Sequence, residues 1–277
     1  MDIITIIGIL AGLLALIGGF LWEGGELSGL YEKTAILIVF GGTFAAVAVS
    51  FPYSRLKKIP SAIKYAFSKE ESHSREIIEK LVDFSTIARR GGVLALEKEA
   101  GEQDNRFLKE GLMMVVDGTD PELTREIMEL EMDAVEGKYG GHARIFEAAG
   151  GYAPTMGIIG TVMGLIKVLS NLADPGSLGH SIAIAFTATL YGVVSANLIY
   201  LPLASKIKAR VKDEVQTMEL MMIGILAIQA GESPQVIRKK LSAFILLDDG
   251  DAAASSGADG ERAGRAARVK KVAERAT

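Results

Sequence analysis

The chain has 277 residues, of which 49% are hydrophobic and only 6% are aromatic. This composition is more apolar than that of an ordinary soluble enzyme and indicates a membrane protein. The 30 basic and 34 acidic residues give a net charge of −4, so no global positive field attracts nucleic acid. The sequence has no cysteine, which excludes disulfides and cysteine nucleophiles.

The three histidines, His73, His142 and His180, lie far apart and lack the spacing of metal ligands. They are expected to be solvated or to cap helices. No metal site and no cofactor is therefore expected.

Four uncharged segments are long enough to cross a bilayer. A bilayer core of about 30 Å requires about 20 residues of apolar helix. Stretches without Asp, Glu, Lys or Arg that approach this length are residues 3–22, 34–51, 148–166 and 181–205. Backbone groups in lipid must be hydrogen-bonded within the segment, so each is predicted to be a helix. The first lacks the basic region of a cleaved signal peptide and is predicted to remain as a span.

The flanking basic residues predict the orientation of these spans, because Lys and Arg accumulate on the cytoplasmic side. Single lysines, Lys33 and Lys167, follow the first and third spans. Clusters follow the second and fourth: Arg55, Lys57, Lys58 and Lys64, then Lys206, Lys208, Arg210 and Lys212. The pattern predicts a multi-pass protein of the cell inner membrane with both termini in the cytoplasm.

The fold class expected is all-α, a polytopic membrane protein with four transmembrane helices and a helical cytoplasmic domain. In the cytoplasmic insert, Gly91 and Gly92 end one amphipathic helix, and Asp120 caps another that begins at Pro121. The fourth span is predicted to continue as one long helix to a stop at Gly231. The segments expected are 1–51 with spans one and two, 52–147 as the insert, 148–205 with spans three and four, 206–247 as a helical extension, and 248–277 as a disordered tail.

The four spans contain no acidic residue. A buried Asp or Glu costs about 2.5–3.5 kcal/mol on membrane-insertion scales, and ion carriers keep one because the carboxylate binds the ion. This chain by itself is therefore not expected to be a complete pump. If it conducts ions, a partner must supply the carboxylate.

Small residues form one stripe on each of the last two spans. The third span carries a GxxxG pattern at Gly160 and Gly164 with Gly157 on the same face, and the fourth carries Ala185, Thr189, Gly192 and Ala196 at spacings of three and four. The two stripes are predicted to pack around an apolar partner helix. Ordinary packing within one chain is the alternative, because small residues are general at membrane helix interfaces.

Two prolines frame this pair of spans. Pro154 lies near the cytoplasmic end of the third span and Pro202 near the cytoplasmic end of the fourth. Each removes a backbone donor and permits a kink. A first-turn position is the structural alternative for Pro154, whereas Pro202 is expected inside its helix.

Four segments of the sequence resemble the MotA and PomA stator family. The segments that carry the resemblance are GYAPTMGIIGTVMGLIKVL from Gly151, SLGHSIAIAFTATLYGVVSANLIYLPLASKIK from Ser177, and, in the insert, ARRGGVLALEKEA and LKEGLMMVVDGTDPE. The similarity extends from Met1 to about Leu247 and agrees in order, spacing and topology.

The resemblance implies an ion-conducting stator subunit of the flagellar motor, in a ring of five around two single-span MotB-type partners whose aspartate binds H⁺ or Na⁺. It implies that Pro154 and Pro202 act in conformational change and that Thr161 and Thr189 face the partner's carboxylate. It also implies that Arg89, Arg90 and Glu97 contact the rotor protein FliG, although such charges are ordinarily solvated surface. Threonine at position 161 favours the sodium-type members.

Three other classes remain as alternatives. A TolQ or ExbB energiser of envelope processes is similar in the GTVMG region but has three spans. A membrane-bound enzyme requires clustered His, Asp or Glu at a membrane face, which the sequence lacks. A self-sufficient channel or transporter is disfavoured because the spans carry no charge.

Overall fold

The computed structural model describes residues 3–67, 74–170 and 175–243. Within these ranges the regular structure is helical, in agreement with the all-α prediction. The tail predicted at 248–277 lies outside the described residues, as does His73.

The helices follow one another in this order. They are α1 (Ile3–Trp22), α2 (Lys33–Ile36, the π-helical Leu37–Gly41 and Gly42–Ser50), α3 (Tyr53–Leu56), α4 (Ile59–Ala66), α5 (Ser74–Gly91), α6 (Glu97–Gly101), α7 (Arg106–Val116), α8 (Pro121–Ser170), α9 (Pro175–Ser195, the π-helical Ala196–Tyr200 and Leu201–Gln229), and α10 at residues 234–243. Short 3₁₀ segments at Leu27–Leu30 and Val93–Leu96 precede α2 and α6.

The four predicted spans lie in four helices that are long and apolar enough to cross a membrane. The first two coincide with α1 and α2, and the other two lie within α8 and α9. α1 exposes most of its large apolar side chains, with Leu14 69% and Trp22 95% exposed. Apolar exposure of this extent over a whole helix is what a lipid-facing surface requires.

α8 is much longer than the predicted third span. It begins at Pro121, where the carboxylate of Asp120 accepts hydrogen bonds from the backbone N–H groups of Glu122 at 2.9 Å and Leu123 at 3.4 Å. This is the predicted cap, with proline at the first helical position. The helix continues through residue 147, the predicted end of the insert, to Ser170.

The predicted helix ends in the insert and after the fourth span are confirmed. α5 ends at Gly91, and Gly92 adopts a φ of +81°, which favours glycine. α9 ends at Gln229, and Gly231 adopts a φ of +71°. The fourth span and the residues that follow it to Gln229 are thus one long helix, as predicted.

Two compact units divide the described chain. The first takes its residues from 1–71 and 133–214, and the second from 72–132 and 215–277. In the first unit, Ala35 and Val39 of α2 pack with Ala188 of α9, and Val47 packs with Ile145 and Ala149 of α8. The predicted boundaries at 51, 147, 205 and 247 describe position relative to a bilayer and stay a prediction.

The second unit has its own apolar core. Gly224 of α9 lies against Leu81 of α5, and a Cβ atom at Gly111 of α7 would lie 2.6 Å from Ile225 and 2.9 Å from Met128. These side chains are almost fully buried. A Cβ atom at either position would displace the ends of these side chains, which pack directly against the two glycines.

Candidate functional site

The small-residue stripes of α8 and α9 face each other within the chain. A Cβ atom at Gly157 would lie 2.9 Å from the carbonyl oxygen of Ala188, and one at Gly164 would lie 3.1 Å from the Cα atom of Ala185. Gly160 likewise faces the Ala188 side chain. Backbones approach this closely only where side chains are absent.

This geometry distinguishes packing around a partner helix from packing within one chain as the reason for the stripes. The five residues predicted to pack around a partner are all buried, and the four glycines lie against this chain's own helices; the set is Gly157, Gly160, Gly164, Ala185 and Gly192. Ordinary packing within one chain therefore accounts for the stripes. A role around a partner helix stays a prediction, since no partner chain is present.

Thr161 and Thr189 are brought together between these two helices. The hydroxyl of Thr161 lies 2.9 Å from the carbonyl oxygen of Ala185 and 3.1 Å from that of Gly157, and it forms a hydrogen bond with the hydroxyl of Thr189. Both side chains are half-buried. Two hydroxyls and two carbonyl oxygens thus converge between helix segments that carry no Asp, Glu, Lys or Arg.

This group of oxygens can accept hydrogen bonds or contribute ligands to a cation such as Na⁺. It cannot release or take up a proton near neutral pH, because neither a hydroxyl nor a peptide carbonyl titrates there. The titrating group of any ion pathway here must be another residue.

Pro154 lies deep inside α8, so the first-turn alternative is wrong. A Cβ atom added at Gly192 would lie 3.1 Å from the Cα atom of Pro154 and 2.5 Å from the carbonyl oxygen of Ala153. Gly192 thus lets α9 approach the point at which Pro154 interrupts the hydrogen bonds of α8.

Pro202 lies inside α9, as predicted, and directly follows the π-helical Ala196–Tyr200. Proline lacks the N–H that would bond to the carbonyl four residues earlier, and its ring clashes with that carbonyl. A single wide turn before the proline relieves the clash. The sequence predicted a kink-permitting position but not a π segment.

Arg89, Arg90 and Glu97 are exposed. The arginines occupy the last turn of α5 and Glu97 begins α6. They belong to the second unit, whereas the two threonines belong to the first. The structure places the three charges at neighbouring helix ends, which is compatible with a surface contact.

A polar cluster that the sequence did not predict lies beside the membrane segments of the first unit. The phenol of Tyr65 on α4 donates to the carboxylate of Glu214 on α9 at 2.6 Å, and its ring stacks on Tyr139 of α8 with centroids 4.1 Å apart. Burial and the adjacent Glu214 carboxylate raise the pKa of Tyr65 well above its usual value. The partners are separated by long stretches of sequence, so no local pattern indicates the cluster.

His142 belongs to the same region and is buried, not solvated or capping as predicted. Its ring meets that of Tyr139 edge-on, and its Nδ1 has no hydrogen-bond partner among the described residues. Burial lowers the pKa of His142 most, and the positive charges of Lys58, Lys138 and Arg55 lower it further. Near neutral pH this imidazole is therefore uncharged.

The fold and this site define an α-helical, multi-pass membrane protein whose spans bring together hydroxyl and carbonyl oxygens but no carboxylate. Residues 6–92 match the motility protein A N-terminal family, and residues 99–220 match the MotA/TolQ/ExbB proton channel family. The chain belongs to the MotA/TolQ/ExbB proton channel family.

Individual relatives agree with this assignment. Motility protein A of Bacillus subtilis is 39% identical over 90% of this chain and 93% of its own length, and chemotaxis protein PomA of Vibrio alginolyticus is 35% identical over 85% and 95%. The solved structure of C. jejuni MotAB superposes with a TM-score of 0.83 at 33% identity, covering 88% of this chain and 96% of that one. The resemblance to the MotA and PomA stator family inferred from the sequence is thereby confirmed.

Proposed function

We propose that this chain is a stator subunit of the bacterial flagellar motor, which conducts H⁺ or Na⁺ together with a MotB-type partner and converts the flow into torque on the rotor. The observation that carries the proposal is the carboxylate-free pair of helices around Thr161 and Thr189. The family supports the same proposal, because relatives of nearly the same length are motility and chemotaxis proteins.

The partner supplies what this chain lacks. An ion that leaves water needs a counter-charge, and none of the four spans contains Asp or Glu. A single-span MotB-type helix with an aspartate near the Thr161 and Thr189 hydroxyls completes the pathway. The solved C. jejuni relative is a MotAB complex, which supports a partner of this kind.

A ring of five copies around two such partners gives the ion flow a mechanical output. One elementary charge that crosses 100 mV releases about 2.3 kcal/mol, which is enough to bias a small rotation of packed helices. Pro154 and Pro202, where the hydrogen bonding of α8 and α9 is interrupted, are the positions at which the helices bend during a step. No covalent chemistry is required.

The exposed charges Arg89, Arg90 and Glu97 transmit torque by contacting the rotor protein FliG. In the proposed orientation, with both termini in the cytoplasm, the second unit lies on the rotor side of the membrane. Reversing Glu97 to Lys should reduce swimming, and a compensating reversal on the rotor protein should restore it. If the rotor contact lies elsewhere on the protein, Glu97→Lys should not change swimming.

Na⁺ is the coupling ion favoured by the hydroxyl at position 161. Dehydrated Na⁺ gains from oxygen ligands beyond the carboxylate, and Thr161 and Thr189 provide them, whereas a proton needs only the carboxylate and water. H⁺ is the other ion that the same arrangement serves.

The decisive experiment expresses the chain with and without its MotB-type partner in a strain that lacks its own stators. Swimming and ion flux are expected only when both proteins are present, and the two should co-purify from detergent. Rapid dissipation of an ion gradient by liposomes that contain this chain alone would overturn the proposal. A TolQ or ExbB-type role would restore envelope integrity and not motility.

A further inference from the structure

Three basic side chains lie together just beyond the ends of two spans in the first unit. Arg55 lies in α3, Lys58 directly precedes α4, and Lys138 lies in the part of α8 before the third span. Each lowers the pKa of the buried His142 through its positive charge, so all three lie near that ring. We call Arg55, Lys58 and Lys138 the basic cluster.

Packing between the helices brings two of these cations to α8. Leu56 and Ile59 pack against an apolar group shared by α2 and α8. That group consists of Val47, Ile145 and Ala149. Arg55 and Lys58 each directly precede one of the two packed residues, so the chain holds both cations beside α8.

The same side of α8 carries Lys138 and His142. They precede Ile145 by seven and three residues, spacings that lie on one helical face. Tyr139 stacks on Tyr65 of α4 with ring centroids 4.1 Å apart and meets His142 edge-on. α4 therefore lies beside α8 at this level, and the side chains of the cluster converge through these contacts.

The basic cluster has no negative partner among the described residues. None of its three side chains forms an ion pair there, and all three are exposed. Two carboxylates of the same unit are already engaged, since Glu147 pairs with Lys208 and Glu214 accepts the hydrogen bond from Tyr65. Like charges held side by side repel one another, and an anion among them offsets that repulsion.

His142 gives a second, independent indication of a ligand. Its ring is buried, and its Nδ1 atom has no hydrogen-bond partner among the described residues. Buried polar nitrogens in folded proteins are nearly always paired. A phosphate oxygen accepts a hydrogen bond from an N–H at Nδ1 and also carries the counter-charge for the three cations, so one ligand satisfies both.

The basic cluster lies at the depth of lipid headgroups. At the end of the second span the hydroxyls of Ser50 and Tyr152 lie 2.9 Å apart. Arg55 follows the last residue of that predicted span by four positions, and His142 precedes residue 148 by about 9 Å of helix. The headgroup layer adds about 5–8 Å on each side of the hydrocarbon core, and long Arg and Lys side chains extend towards it.

Exposed apolar side chains of α2 lead along the second span to the basic cluster. Phe44 is 71% and Val49 is 90% exposed, and Tyr53 of α3 is exposed directly beyond them. Tyrosine is enriched at the level where the hydrocarbon core meets the headgroups. A lipid uses both the apolar surface and the charges, whereas a free phosphate uses the charges alone, so this continuity favours a lipid.

We propose that the basic cluster binds the phosphate of an anionic phospholipid, with the Nδ1 of His142 as a further hydrogen-bond donor and the acyl chains along α2. In the predicted orientation this lipid belongs to the cytoplasmic leaflet. The bound phosphate joins α3, the start of α4 and α8, so it should stabilise the first unit. The site requires neither the MotB-type partner nor the rotor and does not rest on the proposed function.

Lipid retention tests the proposal on the full chain, extracted from membranes into a neutral detergent that contains phosphatidylglycerol or phosphatidylcholine. Wild type is expected to retain several-fold more phosphatidylglycerol and to melt at a higher temperature with it. The variant Arg55→Gln, Lys58→Gln and Lys138→Gln should lose both differences, because glutamine is polar but carries no charge.

Two further variants control for total charge and for folding. The first removes the same charge from three exposed basic residues of the second unit, by Lys98→Gln, Arg125→Gln and Lys239→Gln, and should respond to phosphatidylglycerol as wild type does. The second keeps the charges of the cluster, by Arg55→Lys, Lys58→Arg and Lys138→Arg. It should retain the lipid, which separates loss of charge from loss of structure in the glutamine variant.

The pKa of His142 reports on binding at the site itself. The groups that face its ring are Tyr139 and Lys138 of α8, and Arg55 and Lys58 on the chain before α4. By NMR of isotope-labelled histidine, this pKa should be higher with phosphatidylglycerol than with phosphatidylcholine, because the phosphate offsets the three positive charges. In the glutamine variant the two lipids should give the same value.

Three results would overturn the proposal. Equal retention of both lipids by wild type, or unchanged retention by the glutamine variant, would remove the site. The same rise in melting temperature with inorganic phosphate or glycerol phosphate would assign the basic cluster to a free anion. Loss of oligomers in the glutamine variant, with lipid retention unchanged, would assign it to a contact between copies of the chain.

Discussion

Gly192 of α9 lies so close to Ala153 of α8 that a Cβ atom at position 192 would be 2.5 Å from the Ala153 carbonyl oxygen. The same atom would lie 3.1 Å from the Cα atom of Pro154. The contact is between backbones, and neither neighbour can move away as the end of a flexible side chain could. The spacing of α8 and α9 at this level therefore depends on the absence of one methyl group.

Gly192→Ala is accordingly expected to separate the two helices and to lower the stability of the folded protein. Overpacking of a close contact costs about 1–3 kcal/mol. The measurement is thermal unfolding in detergent, together with swimming speed. Gly151→Ala is the matched control, because nothing among the described residues lies within 4 Å of a Cβ atom there. Equal melting temperatures for both variants would contradict the close contact.

Thr161→Ala tests the role of the hydroxyl pair. If Thr161 contributes an oxygen to Na⁺, its loss should raise the Na⁺ concentration for half-maximal swimming speed by about 2–10-fold, the equivalent of one hydrogen bond. Thr155→Ala is the control, since among the described residues that exposed hydroxyl bonds only within α8, to the carbonyl of Tyr152. Unchanged swimming of Thr161→Ala in both Na⁺ and Na⁺-free media would remove the preference for sodium.

Pro202→Ala tests whether the interrupted hydrogen bonding of α9 is needed for torque. Alanine restores a backbone donor and removes the need for the wide turn that accommodates the proline ring, so the helix should become more stable by up to about 3 kcal/mol. We expect a higher melting temperature and slower swimming. Pro121→Ala is the control, because proline at the first helical position costs no hydrogen bond. Wild-type speed for Pro202→Ala would exclude a conformational role.

Tyr65→Phe should destabilise the first unit at neutral pH by about 1.5–3 kcal/mol, the range for a hydrogen bond to a charged group. Because the pKa of Tyr65 is raised on folding, its protonated form is favoured in the native state. This stability is fully present below the ordinary tyrosine pKa of about 10 and is lost as the pH rises further.

The measurement for Tyr65 is the free energy of unfolding in detergent between pH 8 and 11. The advantage of wild type over Tyr65→Phe should begin to shrink in the upper part of this range, where the tyrosine of the unfolded chain ionises. Tyr53→Phe serves as the control, since Tyr53 is 79% exposed. A constant difference between wild type and Tyr65→Phe across the range would exclude the bond to Glu214.

The site illustrates where sequence reasoning succeeds. Thr161 and Thr189 were singled out through a family resemblance, and the small-residue spacing put Gly157, Gly160 and Gly164 on one helical face. Periodicity is a local property, so it indicates which residues share a face but not what that face meets. The structure shows that the stripes of α8 and α9 meet each other.

The sequence by itself determined the four helices, the cap at Asp120, the stop at Gly231 and the absence of an ion-binding carboxylate in the spans. These follow from side-chain polarity and backbone freedom, which act within a few residues. Only the tertiary structure decided that α8 runs unbroken from Pro121 to Ser170, that a π segment precedes Pro202, and that Tyr65 reaches Glu214. Those outcomes depend on contacts between residues far apart in the chain, whose packing outweighs the local signals that would otherwise end or straighten a helix.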